Sequence, residues 1–88
     1  MALRSPAVEH VNPLVRWTVT VADGTEIEVW SDGYSEVGDD IVFGALVDAS
    51  AEEQADLDVT HLTPSNPRRV VISVARFPTA AVATIRST

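Results

Sequence analysis

The side chains of this 88-residue chain that could do chemistry are spread along it rather than gathered. His10 and His61 are its two histidines, and the carboxylates closest to a ligand pattern are Asp39-Asp40 and Asp56-x-Asp58. A calcium loop of the EF-hand kind needs alternating oxygen ligands, a central glycine and a distal bidentate glutamate, and that spacing is absent. Zinc would have to recruit two histidines far apart in sequence, without a thiolate, because the chain has no cysteine. Serine, histidine and aspartate are all present, but no nucleophile elbow frames a serine. Gly24, Gly33, Gly38 and Gly44 are dispersed, and none precedes a strong helix as a phosphate-binding loop requires. The expectation is a protein that is not an enzyme and holds neither a metal nor another cofactor.

Three residues carry more information. Glu26 and Glu28 share one face of a strand, where paired carboxylates could do acid-base work. Trp30 follows at the same spacing, and an indole among polar side chains supplies apolar area and one hydrogen-bond donor to a partner. Which face these residues occupy depends on the element that positions them.

That element is Arg16 to Ser31, RWTVTVADGTEIEVWS, two alternating runs around an Asp-Gly turn signal. A two-residue Asp23-Gly24 turn would split the apolar residues between both faces, since a one-residue slip moves a whole strand's side chains across the sheet. A three-residue Ala22-Asp23-Gly24 loop with Gly24 left-handed pairs Val21 with Thr25, Val19 with Ile27 and Trp17 with Val29. One face is then apolar throughout. The other carries Thr20/Glu26, Thr18/Glu28 and Arg16/Trp30, with a guanidinium opposite an indole. Trp30, Arg16, Glu26 and Glu28 are the candidate interface residues, unless the N-terminal arm or the Asp48–Pro67 segment covers the indole.

Outward from the hairpin, residues 1–14 form a partly ordered arm that Val8, Val11 and Leu14 could pin to the core, and residues 15–88 form one small β domain. Asp32 to Asp39 is expected to be a loop with Tyr34 and Val37 as inward anchors. Asp40 to Val47 is a strand apolar on both faces, in which Gly44 marks a bend, a bulge or a close approach. Ser50-Ala51-Glu52-Glu53 matches a capping box for a short helix up to about Leu57, held through Ala55 and Leu57, with a mobile acidic loop as the alternative. Asp58 to Leu62 is a brief strand bearing His61, and Thr63 to Pro67 is a rigid loop. Arg69 to Phe77 is a strand with Val70, Ile72 and Val74 on one face and Val71, Ser73, Ala75 and Phe77 on the other. Thr79 to Ala81 gives one 3₁₀ turn before a last strand around Val82 to Arg86, with a terminal helix as the competing assignment.

The result is a mainly β domain, a small strongly bent antiparallel sheet or open five-stranded barrel with at most one short helix near residues 50–58. From Arg16 to Ile85, the strand spacing and the FPTAAVATI ending resemble the SH3-like and Sm-like small barrels in outline. That resemblance implies a fold only. Neither the RNA-contact loops of the Sm-like barrels nor the acidic-aromatic groove of SH3 domains is matched, so no functional residue is carried over.

Charge completes the picture. Net charge is −7, twelve of the 13 acidic residues lie between Asp23 and Asp58, and all six cations are arginines, none of them between Arg16 and Arg68. A solvated acidic middle with the later arginines folded back beside it is the plain expectation. Nucleic acid is disfavoured, because phosphate binding needs a clustered basic surface and only Arg68-Arg69 begins one. No signal-peptide pattern and no apolar run of ~20 residues is present, so a cytoplasmic protein without membrane contact is expected. The expected function is a non-catalytic protein-interaction module, possible as a homodimer through an edge strand or through Trp30. The rival is an acidic inhibitor or mimic that occupies a cationic protein site.

Overall fold

The computed structural model describes residues 2–3 and 8–87. It is mainly β, with two strongly bent sheets and one short helix, and the sheets do not close into a barrel. In the first sheet the order is β1 (Ala2–Leu3), β4 (Glu26–Ser31), β3 (Val15–Val21) and β9 (Val82–Ser87). In the second it is β2 (Glu9–His10), β6 (Asp40–Asp48), β8 (Arg69–Pro78) and β7 (Val59–Leu62), with β5 (Gly33–Val37) also paired to β6. Every pairing is antiparallel except that of β1 with β4. The ordering of the arm at residues 1 and 4–7 lies outside the described residues.

The β3–β4 hairpin has the register its side chains require. Arg16 faces Trp30, Trp17 faces Val29, Thr18 faces Glu28, Val19 faces Ile27 and Thr20 faces Glu26. Gly24 closes the three-residue loop at φ 91°, which only glycine adopts without strain. The Val21 N–H donates to Thr25 O and the Gly24 N–H to Val21 O, both at 2.9 Å. Thr25 N–H donates to Asp23 Oδ1 at 2.9 Å, and this bond holds the Asp23 carboxyl below the usual carboxylate range.

Residues 32–39 differ from the loop expected of them. Gly33–Val37 is a strand, turned onto β6 through Gly38-Asp39 with Gly38 at φ 59°. Of Tyr34 and Val37, 46% and 49% exposed, only Tyr34 turns toward the core as expected, and Val37 is not an inward anchor. Strand alternation explains why: three residues apart, they point to opposite faces. Tyr34 lies across from Phe43 and caps the rim of the core, its ring 5.2 Å from Trp17 and 5.3 Å from Phe43, whereas Val37 lies across from Asp40 on the outer face.

The faces of β8 are exchanged part-way along. Phe43 pairs with Ala75 but Gly44 pairs with Ser73, so Val74 is an extra residue bulged opposite Gly44. Before the bulge Val70 and Ile72 point inward, and beyond it Ala75 and Phe77 do. Sequence alternation had put Ala75 and Phe77 on the side opposite Val70 and Ile72. Val74 packs against both of the resulting core clusters. One cluster joins the hairpin's Val19 and Val29 to Ile41, Phe43 and Ala75, and the other gathers Ala45, Val47, Ala49, Val70 and Ile72, with Val8 and Leu14 of the arm against it.

The helix, Ala51–Gln54, is shorter than its capping signal allowed, but the box itself is formed: Glu53 N–H donates to Ser50 Oγ and Ser50 N–H to Glu53 Oε1. Leu57 packs on the second cluster, whereas Ala55, expected to help hold the helix, is exposed. Gln54 does that work, its side-chain amide donating to Ala49 O and Pro67 O. At the end of the chain Thr79–Ala81 is a 3₁₀ turn and Val82–Ser87 a strand, not a helix.

Candidate functional site

Two surfaces come out of this arrangement. The first is the polar face of the hairpin, where the register places Arg16, Glu26, Glu28 and Trp30 together. β9 widens it, bringing Arg86 across from Thr18 and Thr84 across from Thr20. Arg86 Nη2 then pairs with Glu26 Oε2 at 2.6 Å, and Trp30 Nε1 donates to Glu28 Oε1 at 2.5 Å. Trp30 is half-buried and Arg16 exposed. The indole donor that would have served a partner is engaged within the strand.

The second surface was not singled out from the sequence. β6 is apolar on both faces, and the core clusters cover only one of them. On the outer side Val42, Gly44 and Leu46 of β6 and Val71 of β8 floor an open groove of about 850 Å³. Ser35 and Val37 of β5 form one wall; Asp58, Thr60 and His61, leading into and along β7, form the other. Arg76, across from Val42, also lines it.

Asp32 fixes one end of this groove. Its N–H donates to Gly44 O at 2.9 Å, and its Oδ2 accepts from Leu46 N–H at 2.7 Å. That amide falls on the β6 edge between the last β5 pair, Gly33 with Gly44, and the first β2 pair, His10 with Val47. The carboxylate replaces the missing strand partner of a backbone donor that would otherwise be unmet.

On the opposite wall Thr60 Oγ1 donates its single proton to Val71 O at 3.2 Å. The 3.1 Å contact from His61 Nδ1 to the same oxygen is then a bond in which Nδ1 donates. In neutral His61 this leaves Nε2 as an acceptor.

No family model, no curated protein and no solved structure matches the chain. Function is therefore read from side chains and topology alone. Among the described residues, no three histidine, aspartate or glutamate side chains converge as a metal would need, and no helix is long and apolar enough to cross a membrane.

The acidic middle does not fold into one face. Asp23 is at a loop tip, Glu26 and Glu28 are on the first sheet, Glu36 and Asp39 flank the β5–β6 turn, and Glu52 to Asp58 belong to the helix and the segment after it. Arginines folded back from the C-terminal part pair with three of its carboxylates: Arg69 with Asp48, Arg76 with Asp40 and Arg86 with Glu26. In the groove Arg76 is occupied by Asp40, while neither Asp32 nor Asp58 has an ion-pair partner among the described residues.

Proposed function

We propose that this chain is a non-catalytic protein-interaction module of the cytoplasm that contacts its partner through the outer face of the second sheet. One observation carries the reading: β6 is apolar on both sides and the core clusters pack on one, so on the other the half-buried Leu46 and Val71, beside a Val42 that is only 7% exposed, floor an open groove. An apolar sheet face left open on a small domain is a surface for another molecule. Dispersal of the carboxylates over several elements counts against the rival, an acidic mimic that would present them together.

A photo-crosslinking side chain at position 46, compared with one at position 84 on the hairpin's polar face, tests this in the native cell. A discrete adduct from position 46 alone supports the reading, and equal labelling from both positions, or none from 46, contradicts it.

Self-association is the second reading. β9 is the outer strand of the first sheet, and its open edge lies beside the polar face that bears Trp30, Arg16, Glu26 and Glu28. Pairing two such edges across a two-fold axis would remove an aggregation-prone border. Light scattering across protein concentration in low and high salt tests it, with a salt-resistant dimer as the supporting result and a monomer throughout as the opposing one.

A further inference from the structure

We infer, resting on the groove reading above, that the occupant is an extended segment of a partner protein carrying an aliphatic side chain flanked by lysine or arginine. The floor sets the first requirement. Val42, Gly44, Leu46 and Val71 offer no polar side chain there, so what lies against them is apolar. Val71 Cγ1 closes over Gly44, 3.3 Å from where a Cβ there would stand, so the middle of the floor is aliphatic surface.

The walls set the second. Asp32 and Asp58 are carboxylates of the lining without an ion-pair partner among the described residues, and Arg76, the one arginine there, is held by Asp40 at 3.2 Å. His61 adds an acceptor at Nε2 in its neutral form, because Nδ1 is turned to Thr60. A lining of acceptors and uncompensated negative charge matches ammonium or guanidinium groups.

The same charge argues against the other occupants. A second copy of this chain would bring a net charge of −7 and a groove of the same sign. Nucleic acid and anionic lipid are likewise repelled. The groove is open and crosses the sheet between β5 and β7, which fits an extended chain, whose side chains alternate at a period of two, better than an enclosed small molecule.

Calorimetric titration of the whole chain with three blocked peptides decides the matter: Ser-Lys-Val-Leu-Val-Lys-Ser, its analogue with both lysines replaced by glutamate, and its analogue with all three aliphatic residues replaced by serine. The first is expected to bind, the other two not, and Asp58→Asn is expected to weaken the first by about two- to fivefold, as for a solvent-exposed ion pair. Asp58 meets the fold through its backbone carbonyl, which accepts from Ser73 N–H at 2.8 Å, so the asparagine variant keeps that bond. Binding of the lysine and glutamate peptides with equal affinity, unchanged by Asp58→Asn, overturns the cationic occupant and leaves the groove reading standing. Failure of every peptide, together with no adduct from position 46, overturns both.

Discussion

Gly44 of β6 stands so close to Val71 of β8 that a Cβ at position 44 would lie 3.3 Å from Val71 Cγ1 and 3.5 Å from Ile72 O. This approach accompanies the Val74 bulge opposite. Alanine can be taken up by a small shift of the valine, and it recovers the entropy that glycine loses in a strand. A branched side chain cannot. Gly44→Val is expected to destabilise the fold by about 1–3 kcal/mol through overpacking, with Gly44→Ala much milder, both read from urea unfolding midpoints.

Asp32 should prove to be a structural residue of the groove. Removing its carboxylate by Asp32→Ala leaves the Leu46 N–H without its acceptor and is expected to cost about 1–3 kcal/mol. Asp32→Asn keeps an oxygen in place and should cost less. Amide hydrogen exchange at Leu46 provides the check, with strong acceleration in the alanine variant and little in the asparagine one.

Asp48 and Arg69 face each other across β6 and β8 with two bonds, Nε to Oδ1 at 3.0 Å and Nη2 to Oδ2 at 3.1 Å. The arginine hydrogen bonds hold the Asp48 carboxyl below its ordinary value. A carboxylate with a depressed folded-state value contributes stability in full above its unfolded value, and that contribution is lost as pH falls through the folded one. Acid unfolding should therefore begin at higher pH in Arg69→Gln than in the parent, while the difference between them above the carboxylate range stays constant. An unchanged acid profile would show that the pair contributes nothing to the pH dependence.

Trp30 separates the two surfaces. It belongs to the hairpin's polar face and does not line the groove. Trp30→Ala is expected to lower stability by about 1–2 kcal/mol and to leave affinity for the lysine peptide unchanged. A large loss of that affinity would move the binding surface to the hairpin. Loss of a dimer, seen by light scattering, would instead assign Trp30 to self-association.

Much of the fold was legible because alternation and turn chemistry are local. The Gly24 loop set the whole β3–β4 register, Ser50 and Glu53 marked the helix start, and Pro78 with Thr79–Ala81 marked the turn into β9. The errors arose where local rules give way to pairing. Asp32 to Asp39 is rich in turn formers, yet it becomes a strand because β6 has an open edge to receive it. Alternation along β8 failed at Val74, since a bulge is set by the partner strand and leaves no mark on its own run of residues. The groove was half visible: the two-sided apolar pattern of Asp40 to Val47 announced a second face in need of cover. Which of Asp32, Asp58 and His61 would border that face depended on the placement of β5 and β7.

The most direct test of the central claim is an amide chemical-shift map of the isotope-labelled chain titrated with the lysine peptide. The groove account predicts progressive shifts at Val42, Gly44, Leu46, Val71 and His61, with Thr18, Glu28, Trp30 and Thr84 unmoved. Shifts confined to the hairpin's polar face, or none at saturating peptide, would contradict it.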